Sequence, residues 1–214
     1  MDYIFAGEVF TLLGEKALWH KSAKILLVSD VHVDKVHHFR KNGIPLPFQS
    51  KNKSLESLTL LVEKYRPKIL VFLGDLFHSS TNEGTASFLL WRQQLGDIET
   101  ILVRGNHDLI DSKTLLQSDI KDVDTYNIGN IVCSHLPLET KTDDIYNICG
   151  HIHPAVRLTG KARQSITLPC FAFNKNTGIL PAFGYFTGFH IIKNPQLFDI
   201  FCISNMDVIK VNNE

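Results

Sequence analysis

The chain has few cysteines and no motif that would use them. Its four cysteines among 214 residues, Cys133, Cys149, Cys170 and Cys202, show no C-x-x-C spacing. A zinc knuckle or a disulfide framework is therefore not indicated, and buried free thiols are expected. A chain of this length buries roughly 70% of its unfolded surface, so it needs no covalent cross-link. We expect residues 1–214 to form a single domain.

The sequence also lacks long hydrophobic runs and an excess of charge of either sign. No apolar run approaches the ~20 residues that cross a bilayer. The first residues include Asp2 and Glu8 and lack the basic start of a signal peptide. These absences argue against a membrane role and predict a cytoplasmic protein. Lys plus Arg and Asp plus Glu are both 22, so any contact with a polyanion must be local.

Continuous apolar runs that end at carboxylates predict buried parallel strands. Two such runs occupy residues 24–30 (KILLVSD) and 68–75 (KILVFLGD). Between them, apolar residues recur at helical spacing over 55–65, which predicts a β-α-β unit. A second helix is expected at 86–95, before a further strand at 99–104.

The second half of the chain predicts short strands punctuated by Gly, Pro and Asn. We expect strands at 130–134, 145–149, 164–168 and 189–192. No linker or repeat separates this part from the first half. The predicted class is therefore α/β, with two packed, mostly parallel or mixed sheets whose outer faces are covered by helices.

Five short motifs rich in Asp and His follow in order, each after a β-like apolar run. They are DVH at 30–32, GDLFH at 74–78, GNHD at 105–108, His135 and GHIH at 150–153. Asp and His bind divalent cations, and open α/β sheets bind ligands at the carboxyl ends of their strands. A single D-x-H or G-N-H arises easily by chance. Together, in this order, the motifs predict a two-metal phosphoesterase.

This order resembles the calcineurin-like metallophosphoesterase superfamily, whose pattern is D-x-H, G-D-x-x-H, G-N-H-[DE], H and G-H-x-H. The resemblance implies a four-layer αββα sandwich and two divalent metal ions. It implies that one metal is held by Asp30, His32 and His153, the other by Asn106, His135 and His151, and that Asp75 bridges them.

Two dications ~3.5–4 Å apart can share a hydroxide, lower the pKa of its parent water toward ~7, and stabilise both oxygens of an in-line displacement. We therefore expect a metal-bridging hydroxide to attack phosphorus. Imidazole and carboxylate ligands suit Mn, Fe or Zn. By analogy with the superfamily, manganese is the first expectation.

Two further motif residues are expected to assist rather than to bind metal. In the superfamily His107 lies near the scissile phosphate, where it would protonate the leaving oxygen. Asp108 would orient that imidazole, although a helix N-cap would explain Asp108 equally well. We expect His78 to have a structural role or to support a ligand from behind.

The sequence between the motifs narrows the resemblance. Residues 39–47, 102–108, 150–158 and 180–188 are similar to the bacterial ligase-associated DNA damage response metallophosphoesterases. That similarity implies a DNA endonuclease acting alongside a helicase, a nuclease and a DNA ligase in repair. The acidic residue common after the His135 position in relatives is replaced here by Leu136.

The residues themselves support a DNA substrate less strongly than they support phosphoester hydrolysis. Arg40 and Lys41 follow the first ligand motif and Arg157 follows the last, so they are candidates to hold backbone phosphates, although runs of charge are usually solvated faces. No groove-reading motif is visible, so we expect single-stranded or flexible DNA. Five phenylalanines are candidates to stack bases, but their Gly-punctuated β context predicts core positions. They are Phe171, Phe173, Phe183, Phe186 and Phe189.

Two other functions stay open. One is hydrolysis of small phosphodiesters such as cyclic nucleotides, against which the basic clusters argue mildly. The other is a non-catalytic protein-binding scaffold, which some members of the superfamily have become after losing key residues. The complete ligand set and the presence of His107 favour an enzyme.

Overall fold

The computed structural model describes residues 1–33, 53–77, 83–139, 145–160, 164–185 and 187–211. Its first sheet contains seven strands in chain order. They are β1 Asp2–Phe5, β2 Glu8–Leu12, β3 Leu18–His20, β4 Ile25–Val28, β5 Ile69–Leu73, β6 Glu99–Val103 and β7 Ile120–Val123. Strands β1 to β4 are antiparallel to their neighbours, and β4 to β7 are parallel.

Three helices precede the parallel strands β5, β6 and β7. They are α1 Lys53–Tyr65, α2 Glu83–Gln93 and α3 Ser112–Gln117. The helices predicted at 55–65 and 86–95 are confirmed, with small shifts at their ends. The short helix α3 was not predicted, although Asp111 caps it by accepting a 2.9 Å hydrogen bond from Thr114 N. Among the described residues, no helix combines the length and apolar character needed to span a membrane.

The second sheet has nine strands and is mixed. They are β8 Tyr126–Ile128, β9 Ile131–Ser134, β10 Tyr146–Cys149, β11 Pro154–Thr159, β12 Ser165–Phe173, β13 Thr177–Ile179, β14 His190–Ile191, β15 Asp199–Ser204 and β16 Asp207–Val211. The order is β14-β11-β12-β13-β10-β9-β8, and β15 pairs with both β12 and β16. The four predicted strands correspond to β9, β10, β12 and β14, and β12 extends further than expected.

The parallel strands are buried on both faces, which explains their unbroken apolar sequences. In β4, Ile25 and Leu27 pack into the core between the sheets, whereas Leu26 packs in a second core with Leu58 of α1 and Phe88 of α2. The predicted α/β class with two packed mixed sheets is confirmed. The three described α-helices precede the second sheet in the chain and pack against the first sheet, so the described layers are helix, sheet and sheet.

Aromatic rings join the two sheets. Phe173 of β12 lies with its ring centroid 4.6 Å from that of Tyr3 and 5.4 Å from that of Phe5, both in β1. It also contacts Phe201 of β15 at 6.3 Å. Phe173 is fully buried, so its packing holds the second sheet against the first.

Replacing this ring should weaken the whole molecule. We expect Phe173→Ala to lower the free energy of unfolding by about 3–5 kcal/mol, because it leaves a cavity between the sheets. Urea unfolding followed by circular dichroism measures the change. Leu197→Ala, at a side chain that is 64% exposed, serves as the control and should change stability by less than about 0.5 kcal/mol. Equal stability of the two variants would contradict this role for Phe173.

Candidate metal centre

The predicted ligand motifs meet where the two sheets adjoin. Asp30, Asp75 and Asn106 follow β4, β5 and β6 of the first sheet, whereas His135 and His151 follow β9 and β10 of the second. A parallel β-bridge between Ser29 and Ala182 links the sheets here. The edge predicted from the strand ends is therefore one continuous site built from both halves of the chain.

The first group of potential ligands is Asp30, His32 and His153, whose ligand atoms all lie within 4.8 Å of one another. His153 Nε2 is 3.1 Å from Asp30 Oδ1. On the other side of the ring, Nδ1 is 3.2 Å from the carbonyl oxygen of Gly188. A proton on Nδ1 donated to that carbonyl leaves the Nε2 lone pair free for a cation.

The second group is Asp75, His135 and His151, with Asn106 beside it. His135 Nε2 is 3.0 Å from Asn106 Oδ1, 3.1 Å from His151 Nδ1 and 3.4 Å from Asp75 Oδ1. Donor atoms about 3 Å apart are spaced like neighbouring ligands on a metal with bonds of about 2.0–2.2 Å. Burial and the neighbouring His135 lower the pKa of His151, which favours the neutral, ligating form.

Asp75 lies between the two groups. Its Oδ1 is 3.4 Å from His135 Nε2, and its Oδ2 is 3.9 Å from His32 Nε2. The backbone N–H of His107 donates a 3.0 Å hydrogen bond to Oδ1 and so fixes the carboxylate. Its two oxygens face different groups, which is the geometry that the predicted bridging role requires.

The site concentrates negative charge in the interior. Asp30 and Asp75 are 0% and 3% exposed, and among the described residues their ionic partners are histidines alone. Burying carboxylates without a matching cation is costly. The charge, the donor spacing and the oxygen and nitrogen ligand set therefore all fit divalent cations such as Mn, Fe or Zn.

The backbone at the ligands has an unusual conformation. Five of the seven predicted ligands have positive φ: Asp30 (52°), His32 (45°), Asp75 (48°), His151 (65°) and His153 (51°). Residues with a Cβ rarely adopt this region, and it persists only where surrounding contacts enforce it. Each chain segment bends sharply as it leaves its strand, which brings side chains from separate strands together.

Two motif glycines are required by close contacts. A Cβ on Gly74, whose φ is +75°, would overlap the imidazole of His135. A Cβ on Gly105 would overlap the backbone nitrogen and the Oδ1 of Asp75. These positions have no space for a side chain, so a need for a tight turn alone does not explain why both are glycine.

His107 and Asp108 occupy different environments. His107 is exposed, and its ring centroid is 6.1 Å from that of His32. Asp108 is buried and accepts 2.9 Å hydrogen bonds from the backbone nitrogens of Phe77 and Gly105. Burial raises the pKa of the Asp108 carboxyl to about 6, although these two bonds oppose the shift. The two hydrogen bonds accepted by Asp108 stabilise the loop that carries it. Its predicted role in orienting the His107 imidazole stays a prediction.

The sequence analysis missed the groups that support this loop. The Arg104 guanidinium donates 2.9 Å hydrogen bonds to the carbonyl oxygens of Asp108 and Ile110 and pairs with Asp122. Only the position of Arg104 next to the GNHD motif could have indicated that it supports the site. Nothing local marks the carbonyl groups of Leu73 and Gly188 as partners of His135 and His153.

The predicted substrate-binding residues are only partly described. Arg157 lies exposed on β11, four residues beyond His153, whereas Arg40, Lys41 and His78 lie outside the described residues. The core prediction is confirmed for Phe171, Phe173 and Phe183, which are buried; Phe186 lies outside the described residues. It is wrong for Phe189, which is 53% exposed. The residues on either side of it, Gly188 and His190, bond through their backbones to His153.

Comparison with known proteins identifies one family and several similar structures. A family model described as calcineurin-like phosphoesterase matches residues 23–202. The crystal structure of the nuclease MPE from Pseudomonas putida is similar over 99% of both chains, with 26% sequence identity and a TM-score of 0.82. No curated protein matches the chain.

Two further solved structures are more distant. The Aquifex aeolicus protein AQ665, of unknown function, is 23% identical over 60% of this chain and 78% of its own, with a TM-score of 0.42. The E. coli phosphoesterase YfcE is 14% identical over 87% of this chain and 97% of its own, with a TM-score of 0.45.

The close contact at Gly105 makes a test of the site geometry. Gly105→Ala should displace Asp75 and weaken Mn binding about 10- to 100-fold, the usual effect of disturbing a ligand's support. Isothermal titration calorimetry measures the affinity. Gly160→Ala is the matched control, because a Cβ there would meet its neighbours at an ordinary 3.9 Å. Wild-type Mn affinity in Gly105→Ala would contradict the predicted role of Asp75.

Proposed function

The chain belongs to the calcineurin-like phosphoesterase family, and from this premise we propose that it is a dinuclear, metal-dependent phosphodiesterase that cleaves DNA. Membership makes it a phosphoesterase, a hydrolase. The observation that carries the dinuclear proposal is the position of Asp75, whose two oxygens face two separate ligand groups. The full-length similarity to a nuclease supports a nucleic acid substrate.

Each ligand group would hold one ion. The first ion would be held by Asp30, His32 and His153. The second ion would be held by Asn106, His135 and His151, and Asp75 would bind both ions. Two divalent ions held there supply an activated water and positive charge opposite a phosphodiester. We propose manganese as the metal, with iron or zinc as alternatives, because all three accept this mixture of imidazole and carboxylate.

The chain's own residues orient the ligands and move a proton. The carbonyl groups of Leu73 and Gly188 hold the rings of His135 and His153 in their ligating tautomers. His107 is anchored by its backbone to Asp75 while its ring stays exposed. From this rim it donates a proton to the leaving oxygen of the ester.

An open rim favours a polymer over a small ester. Among the described residues around the site, Asn106, His107 and Arg157 are all exposed, so this part of the rim leaves room for an extended strand to approach the ligands. We propose single-stranded or flexible DNA as the substrate and small phosphodiesters as the alternative. The intact ligand geometry counts against a purely structural scaffold.

The proposed setting is DNA repair in the cytoplasm. A nick made by such an endonuclease is a substrate for a helicase, a nuclease or a DNA ligase, the enzymes implied by the sequence similarity. We propose a functional association with these activities. Comparing survival after DNA damage in single and double deletion strains would test it.

Cleavage assays distinguish the two substrate classes. Purified protein with Mn is incubated with supercoiled plasmid, with circular single-stranded DNA and with bis(p-nitrophenyl) phosphate. We expect nicking of DNA together with hydrolysis of the small ester, and loss of both in Asp75→Asn, which keeps the side-chain shape but removes the charge. Activity on the small ester alone would overturn the DNA proposal. Full activity of a folded Asp75→Asn variant would overturn the assigned site.

A second variant tests the proton donor. His107→Ala should lower kcat on DNA by about 10²- to 10⁴-fold while bound Mn, measured by elemental analysis, stays at the wild-type level. The loss should be smaller on bis(p-nitrophenyl) phosphate, because nitrophenolate is a good leaving group that needs little protonation. An equal loss on both substrates would show that His107 does not act as the general acid.

A further inference from the structure

A cluster of basic and aromatic side chains lies beside the first ligand group and has no part in the chemistry described so far. It consists of Lys16, Lys53, Ser57 and Tyr185, and we call it the Tyr185 cluster. The Nζ atoms of Lys16 and Lys53 are each 5.8 Å from the centroid of the Tyr185 ring. The hydroxyl groups of Ser57 and Tyr185 are 2.9 Å apart.

The topology brings the Tyr185 cluster to the same edge of the first sheet as the ligands. Lys16 lies in the turn before β3, and β3 is antiparallel to β4 with Leu18 opposite Leu27, so this turn adjoins the end of β4 that leads to Asp30. Helix α1 begins at Lys53 and returns toward the start of β5. Its first residue therefore also lies at the edge that carries the site.

The link between the cluster and the ligands is direct. The backbone N–H of Gly184 donates a 3.1 Å hydrogen bond to the carbonyl oxygen of Asp30. Tyr185 is the next residue, and its side chain is 52% exposed. The backbone from which the Tyr185 side chain extends therefore adjoins the first ligand group.

Among the described residues, the two lysines have no carboxylate partner, unlike Lys64 and Lys210. Glu15, next to Lys16 in sequence, lies 3.5 Å from Lys64. Lys210 also lies over an aromatic ring, that of Phe201, but is paired with Asp199 at 2.9 Å. Within the described ranges, neither Lys16 nor Lys53 has an ion pair. Two lysine side chains thus lie beside one exposed aromatic ring.

We propose that the Tyr185 cluster binds a non-scissile phosphate of a nucleic acid strand whose neighbouring phosphodiester occupies the metal centre. This inference rests on the proposed function and adds a subsite to it. Lysine ammonium groups bind phosphate as point charges, and the hydroxyls of Ser57 and Tyr185 add hydrogen-bond donors. The Tyr185 ring holds both ammonium groups in place by cation–π attraction. Such backbone contacts set the position of a strand on the protein.

The test measures binding separately from catalysis. Mn-loaded Lys16→Gln/Lys53→Gln protein and wild type are titrated into a fluorescein-labelled phosphorothioate oligo(dT), which resists hydrolysis, and anisotropy is followed at several salt concentrations. We expect roughly tenfold weaker affinity in the variant. We also expect the slope of log K against log salt to fall by about 0.7, because one phosphate contact is lost and each contributes about 0.7 for single strands.

Matched variants separate a binding role from a structural one. Lys210→Gln removes a ring-stacked lysine elsewhere and should bind as wild type. Tyr185→Phe keeps the ring and should retain most of the affinity, whereas Tyr185→Leu should lose it as the lysine variant does. Lys210→Gln should also keep the wild-type kcat and KM for hydrolysis of bis(p-nitrophenyl) phosphate, because Lys210 pairs with Asp199.

Each failure points to a different conclusion. Wild-type affinity and salt slope in the double variant would overturn the subsite, and a lowered melting temperature alone would assign the lysines to stability. If the wild-type protein binds the oligonucleotide but cuts no DNA, the proposed nuclease activity is overturned. The subsite proposal then stands or falls on whether the lysine variant binds the oligonucleotide more weakly than wild type. Absence of any oligonucleotide binding by wild type would overturn both.

Discussion

The structure depends on two buried carboxylates that must be matched by positive charge. Asp30 and Asp75 lie at the ends of adjacent parallel strands and are almost inaccessible to solvent. Without cations they would repel each other and carry a large desolvation cost. The surrounding histidines place their ring nitrogens close enough to these carboxylates to form two candidate metal-binding groups. The left-handed backbone at five ligands and the side-chain-free positions Gly74 and Gly105 follow from bringing so many ligands together.

This requirement couples the chemistry to the packing of the sheets. One sheet supplies Asp30 and Asp75, and the segments after strands of the other supply His135 and His151. Both oxygens of Asp30 accept hydrogen bonds from the backbone nitrogen of His151, at 3.0 and 3.2 Å. The aromatic contacts between the sheets therefore stabilise the fold and also help to bring together, within each ligand group, residues from both sheets.

Local sequence predicts those parts of the molecule that depend on local patterns. Apolar runs and helical spacing identified β4, α1 and β5, and motif order identified the ligands that the fold brings together. Contacts between distant segments left no such signal. The contacts of Lys16 and Lys53 with Tyr185 join segments that are far apart in the chain. The backbone bonds that the neighbours of Phe189 make to His153 do the same. Backbone strain at the ligands is likewise imposed by tertiary contacts, so periodicity cannot reveal it.

The most direct test of the central claim is to locate the metals. Crystals of the Mn-loaded protein, measured near the manganese absorption edge, would give an anomalous difference map independent of any activity. We predict two peaks, one among Asp30, His32 and His153 and one among Asn106, His135 and His151, with an oxygen of Asp75 bound to each. A single peak, or two peaks of which Asp75 contacts only one, would contradict the dinuclear site.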